Sequence, residues 1–220
     1  VSAGAPRLAV FDLDGTLTRR DTFGPFVQAC LARWPLRAAR VPLLLGPLAA
    51  FAGGTHDRGA LKGGVMHVLL GGLARDALGE VAQAHARDVV RRGLHGEAAA
   101  VLAAHRAAGD RLVLMSASPD LYVPLVGREL GFDEVHCTAV RWNGERLDGR
   151  LAGANCRDVE KSRRLAALRE RHPGRAVIGY GNSGADLDHL RRCESAVYVN
   201  ASPRERAGLE ALGLRLVQWH

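Results

Sequence analysis

The first strand-like segment of the chain is an apolar run with no polar position in it. "LAVF", residues 8–11, has the pattern of a strand buried on both faces, and it runs straight into two carboxylates, Asp12 and Asp14. From residue 21 to about 106 strand alternation disappears. Apolar positions recur instead at helical spacing, as in "TFGPFVQACLARW" and "ALGEVAQAHARDVVRRGL", with breaks at Gly53-Gly54, Gly63-Gly64 and Gly71-Gly72. From residue 111 the pattern changes again, to short apolar strands each followed by a helix. "RLVLM" (111–115) leads into a helix opened by Ser118 with Pro119 in its first turn. "EVHCTAVRW" and "RLDGRLAG" flank Asn143-Gly144, a hairpin signal. "EKSRRLAALRERH" reads as a helix, "AVIGY" (176–180) as a strand, "GADLDHLRRC" as a helix, "AVYV" (196–199) as a strand and "LRLVQW" as a last edge strand.

Strands alternating with helices predict an α/β fold, a doubly wound, mostly parallel, Rossmann-like sheet. The helical block adds a small all-helical cap domain over residues 19–106, with residues 1–18 and 107–220 forming the core. Ligands of such sheets gather beyond the carboxyl ends of the strands. Asp12 and Asp14, Ser116, and Asn182 with Asp186 all follow strands, so the three sets are expected to converge on one crevice beneath the cap.

Composition narrows the partners. The 220 residues, 47% of them hydrophobic, are enough for a real core. The formal charge of +7 admits a nucleic acid, an anionic membrane surface or a small anionic substrate. Basic residues come singly or in pairs and aromatics make up 5%, which argues against nucleic acid. Of the 30 basic residues only Lys62 and Lys161 are lysines. Cys30, Cys137, Cys156 and Cys193 show no metal-binding spacing, and no secretory signal is read at the start, so a reduced, cytoplasmic protein is expected. "VPLLLGPLAAFA" (41–52) is too short to span a bilayer and is broken by Pro42, Gly46 and Pro47. It is expected to be a buried or broken helix in the cap. The other reading is a surface touching lipid or an apolar substrate tail, with Arg33, Arg37 and Arg40 upstream to meet anionic headgroups. No integral membrane segment is expected, and oligomeric state is not legible.

Asp12 and Asp14 stand two residues apart, so in an extended chain both side chains point the same way and like charges crowd one space. A calcium loop does not explain them: counted from Asp12, Gly15 falls at position 4 and Phe23 at position 12, where an EF-hand needs Gly at 6 and Glu at 12. "DLDGT" after a strand, Ser116 after a second, Lys161 early in a helix and "GNSGAD" after a third strand together resemble the four motifs of the haloacid dehalogenase-like hydrolase superfamily. The position of the helical insert is similar to that of its phosphoserine phosphatase branch.

That resemblance implies a Mg²⁺-dependent phosphomonoester hydrolase acting through an aspartyl-phosphate. Asp12 is then the nucleophile and Asp14 the proton donor and acceptor. Gly15, Thr16, Ser116, the backbone of Ala117 and Ser118, and Lys161 hold phosphate, and Asp12, Asp14 (through its carbonyl), Asn182 and Asp186 form the metal site. Asn182 stands where the family commonly has an acid, so Asp186 is expected to compensate. In the cap, Asp21 is placed like the acid that grips the amino acid in phosphoserine phosphatase relatives, and Arg58, Lys62 and His67 are further candidates to face substrate. The expected partner is a small phosphorylated metabolite such as phosphoserine or histidinol phosphate. A lipid phosphate such as phosphatidylglycerophosphate, a phosphotransferase activity and a non-catalytic phosphate-binding role remain alternatives; a dehalogenase would not need Asp14.

Overall fold

The structure, a computed structural model, describes residues 6–220. Its centre is a six-stranded sheet in the order β3-β2-β1-β6-β7-β8, with every pairing parallel. The strands are β1 (Leu8–Phe11), β2 (Arg111–Pro119), β3 (Glu134–Thr138), β6 (Val177–Gly181), β7 (Ser195–Val199) and β8 (Arg215–Val217). The doubly wound sheet is therefore as expected, with β8 at one edge. A separate antiparallel hairpin, β4 (Val140–Asn143) and β5 (Arg146–Leu151), turns at Gly144 with φ +55°.

All four residues of β1 are buried because both faces of the sheet are covered. Alternate residues face opposite ways. Ala9 and Phe11 join the cluster that holds Phe26, Leu102 and Tyr122, while Leu8 and Val10 pack with Leu165 and Leu168. The latter two lie on α7 (Val159–Arg171). Strands are laid outward from β1 on one side and then from β6 on the other, so the order reverses between β1 and β6. This is the switch point at which α/β sheets open a crevice.

The insert begins with α1 (Phe23–Arg33). The Asp21 carboxylate starts it, accepting from the N–H groups of Phe23 and Gly24 at 3.0 Å each. Residues 35–44 then form a 3₁₀ helix with Pro42 inside it, followed by α2 (Leu45–Ala52). Of the buried or broken helix expected for 41–52, the break is found, the 3₁₀ helix giving way to α2 at Leu45, but the burial is not: neither helix contains a buried residue. After α3 (Arg58–Leu70) come α4 (Arg75–Asp88), a π turn over 89–93, and α5 (Gly96–Ala107). α5 lies against β2, where His105 bridges Asp110 and the Tyr180 hydroxyl at 2.7 and 2.8 Å. The hairpin packs instead on α3. Gly149, at φ +91°, admits this approach, since a Cβ there would come within 2.6 Å of the His67 nitrogen.

Three local readings are corrected. The helix expected to open at Ser118 is α6 (Val123–Glu129), with Pro124 in its first turn. β2 continues to Pro119 instead, because its register against β3 shifts between Met115 and Pro119. "EVHCTAVRW" divides at Ala139, its first half joining the main sheet and its second the hairpin. The helix after β6 is short, a 3₁₀ turn at Gly184–Asp186 followed by α8 (Leu187–Leu190). A last helix, α9 (Arg206–Ala211), connects β7 to β8.

Candidate active site

The strand ends bring their polar residues together as the switch-point rule requires. Asp12 leaves β1 into the crevice and is 7% exposed. Lys161, in the first turn of α7 and 2% exposed, donates to Asp12 Oδ1 at 2.6 Å and to Asp186 Oδ1 at 2.7 Å. The other oxygen of Asp186 accepts from Ser183 Oγ at 2.7 Å and from the Ser183 and Asn182 N–H groups at 3.1 and 3.3 Å. Thr16 Oγ1 reaches both Asp12 Oδ2 at 3.1 Å and Asn182 Oδ1 at 3.2 Å. Gly15, at φ +84°, makes the turn between them, and a Cβ there would fall on the Asn182 amide.

Asp14 does not share this charge cluster directly. Its Oδ1 accepts from the Thr22 N–H at 2.7 Å and the Thr22 hydroxyl at 2.6 Å, and its Oδ2 accepts from Ser118 Oγ at 2.6 Å. The side-by-side carboxylates suggested by the i, i+2 spacing are thus drawn apart, because the chain turns after Phe11 and different elements supply their partners. Ser116 is fully buried, and its Oγ accepts the Ser118 N–H at 3.0 Å. The Ser118 N–H expected to meet phosphate is therefore engaged within the chain. Ser116–Ser118 lie in the shifted stretch of β2, so any backbone donor they offer comes from a strand irregularity and not from a helix terminus.

The charges are unequal. Asp12 and Asp186 share one buried ammonium, that of Lys161. Burial, with Asp186 and Asp14 adding to it against the pull of Lys161, pushes the Asp12 carboxyl up to about 7. Burial acts the same way on Asp186, but Lys161 and the Ser183 hydroxyl outweigh it and hold that carboxyl near 2. Burial disfavours the Lys161 charge, yet its two carboxylate partners win and its pKa is raised.

A hard divalent cation fits this imbalance. Among the described residues no three His, Cys, Asp or Glu side chains converge as a metal cage. The oxygens that gather for an ion are those of Asp12 and Asn182, joined by Thr16, a sparse oxygen set suited to Mg²⁺. Asp186 gives one oxygen to Lys161 and the other to the Ser183 turn. Its place is to fix the lysine.

Of the cap candidates, Lys62 alone among the four makes a contact with the core motifs, donating to the Ala117 carbonyl at 3.1 Å beneath the ring of Phe23. Burial lowers its pKa, and Asp14 and Asp21 work the other way. Asp21 is exposed and starts α1; Arg58 opens α3 and is exposed. His67 faces the hairpin, with Nδ1 at 2.8 Å from the Asp148 carbonyl. Thr22 and Ser183 were not foreseen. Ser183 had a signal, since Ser-x-x-Asp is a capping box and the structure forms it with Asp186. A cavity of about 320 Å³ lies beside Thr22, lined by Arg19, Arg20 and His85, but none of Asp12, Lys161 and Asp186 lines it. The convergence of side chains, and not the cavity, marks the site.

Residues 9–191 match the family described as haloacid dehalogenase-like hydrolase. The chain is 33% identical over 196 residues to Protein CicA of Caulobacter vibrioides, covering 88% of this chain and 86% of that one. A protein of unknown function from Bordetella pertussis Tohama I has a similar structure, with TM-score 0.79 at 24% identity over 96% of this chain and 98% of that chain. A probable phosphoserine phosphatase from Vibrio cholerae superposes with TM-score 0.72 at 16% identity, over 98% of this chain and 61% of that one. A substrate-bound phosphoserine phosphatase does so with TM-score 0.67 at 14% identity, over 96% and 92%.

Proposed function

The chain belongs to the haloacid dehalogenase-like hydrolases, and from that premise we propose that it is a Mg²⁺-dependent phosphomonoester hydrolase. The observation that carries the reading is the division of labour at the end of β1. Asp12 is held by Lys161 and Thr16, whereas Asp14, two residues on, is held by the neutral donors Thr22 and Ser118. One carboxylate is oriented beside a fixed positive charge, as a nucleophile on phosphorus requires; the other is kept apart for proton transfer.

In the first step an Asp12 oxygen bonds to phosphorus as the ester P–O bond breaks, and protonated Asp14 gives its proton to the leaving oxygen. In the second, Asp14 takes a proton from water as the water oxygen attacks phosphorus, releasing phosphate and restoring Asp12. Lys161, fixed by Asp186, stays charged beside the transferring group. Ser116 and Thr16 offer hydroxyls to phosphate oxygens. Asp12, Asn182 and the Asp14 carbonyl would hold Mg²⁺, which would supply the positive charge that the cluster lacks.

The substrate we propose is a small phosphate monoester with an amino-acid-like body. Lys62, close enough to feel Asp14 and reaching the core from the cap, suits a substrate carboxylate, and the similar structures include phosphoserine phosphatases. Four free thiols support a reducing, cytoplasmic setting. The test is phosphate release from a panel of phosphorylated metabolites, with millimolar Mg²⁺ or with EDTA. Mg²⁺-dependent release, abolished in Asp12→Asn, is expected. No release from any ester would leave only a binding role.

A further inference from the structure

Eight large apolar side chains stand exposed among the described residues, and six belong to one segment: Leu36, Val41, Leu43, Leu45, Leu48 and Phe51. Leu36 is 90% exposed and Leu45 71%. The 3₁₀ helix and α2 that carry them have no fully buried residue; Leu44 packs half-buried on the core and Pro47 lies against Gly64, while the six exposed side chains stand on the outer side as an apolar ridge fastened to α3. Arg37 donates to the carbonyls of Leu69 and Gly71 at 3.0 and 2.9 Å, and Arg40 to that of Val68 at 3.4 Å. A patch of this kind is rare on a protein that meets only water.

Charge identifies what covers it. From Thr22 to His56 the sequence has no Asp or Glu, while Arg33, Arg37 and Arg40 fall within it. A second copy of the chain meeting this patch about a two-fold axis would set those arginines against their own images. An anionic lipid surface complements both features, apolar side chains entering the acyl boundary and the exposed Arg33 and Arg40 lying at the headgroups, while Arg37, half-buried on its two carbonyls, adds its charge from behind. No helix among the described residues is long and apolar enough to cross a membrane, so the contact is peripheral. We propose that residues 35–52 form a docking surface for an anionic bilayer and hold the cap against it. This does not depend on the catalytic reading and is read by binding alone.

The test is flotation of the full chain with vesicles of phosphatidylcholine alone and of phosphatidylcholine containing one-third phosphatidylglycerol. Binding to the anionic vesicles, weakened by high salt, is expected. The Leu43→Asp/Leu45→Asp/Leu48→Asp variant should partition about tenfold or more less well. Because these side chains are exposed, its thermal melt should match the parent, as should any turnover on a soluble ester. Arg33→Glu, which leaves the apolar ridge intact, should reduce the preference for anionic over neutral vesicles. Equal binding to both vesicle types, no binding at low salt, or undiminished binding by the triple variant would overturn the proposal. So would a dimer in sedimentation velocity that the triple variant dissolves, since the ridge would then be an interface between copies.

Discussion

Asp12→Asn is expected to make the metal-free protein more stable while removing its activity. The carboxyl, whose ordinary value is 3.8, is pushed up to about 7 in the fold by burial, with Asp186 and Asp14 adding to it against Lys161. The folded chain therefore keeps a proton on Asp12 over a range in which the unfolded chain has lost it. For an acid raised in this way the sign is the reverse of the usual one: stability falls as pH rises from about 4 and levels off above about 7. At about 1.4 kcal/mol per pH unit the upper bound of this cost is about 4 kcal/mol, and partial access of water to the crevice reduces the expected value to roughly 2. The amide keeps the shape and can still accept from Lys161, so the variant removes the charge and little else.

Urea denaturation of both proteins in EDTA at pH 5 and pH 8 measures the effect. The advantage of Asp12→Asn should be small at pH 5 and about 2 kcal/mol at pH 8. Millimolar Mg²⁺ should then stabilise the parent, by an amount that grows with concentration, and do little for the variant. A variant that is less stable than the parent at pH 8 in EDTA, or a difference that does not change with pH, would refute the electrostatic account of the crevice. The readout needs no substrate, so it also tests the proposed ion site when no activity is found.

Lys161→Met leaves Asp12 and Asp186 buried without their shared cation and should cost about 3–5 kcal/mol in urea denaturation without metal. Gly15→Ala places a Cβ on the Asn182 amide at a backbone angle of φ +84°. It should destabilise by about 1–3 kcal/mol and raise the Mg²⁺ concentration needed to shift the melting temperature. Glu134 accepts from Arg111 at 2.9 Å, Arg171 at 2.8 Å and His172 at 2.9 Å. Burial opposes its charge, but these partners hold the carboxyl at about 2, below its ordinary 4.5. Its contribution is present above about pH 4.5 and lost as pH falls through about 2. Glu134→Gln should cost roughly 2 kcal/mol at neutral pH and flatten the acid limb of the stability curve.

What the sequence disclosed was what short range decides. An apolar run ending in carboxylates reads as a buried strand with a polar tip whatever lies elsewhere, and β1 with Asp12 is that element. Lys161 stood out as a lysine in an arginine-rich chain, and it is the buried cation of the site. Ser118 was misplaced on a helix because Ser-Pro-Asp is a sound local start signal. The strand extends past it through a register shift set by β3, which lies more than a dozen residues downstream. Residues 41–52 were expected to be a buried or broken helix; Pro42 and Gly46-Pro47 signalled the break, but apolarity says only what water disfavours and does not say whether the chain has another surface to cover it. Thr22 carried no signal as a partner of Asp14, since its role exists only once the insert folds back on the strand.

That last dependence bears on how the two carboxylates at one strand end take different roles. Asp12 draws its partners from Thr16 in its own loop and from Lys161, whose anchor Asp186 follows β6, all of them core elements. Asp14 draws two of its three short hydrogen bonds from Thr22, where the insert begins, and the Thr22 hydroxyl is in turn 2.8 Å from the Tyr122 hydroxyl just before α6. Asp12, the proposed nucleophile, is thus fixed by the sheet and α7, whereas Asp14, the proposed proton carrier, is fixed partly by the entry into the cap. Motion of α1 against the core would disturb Asp14 before it disturbed Asp12, so under the proposed mechanism the cap's position would govern proton transfer without touching the Lys161–Asp12 ion pair.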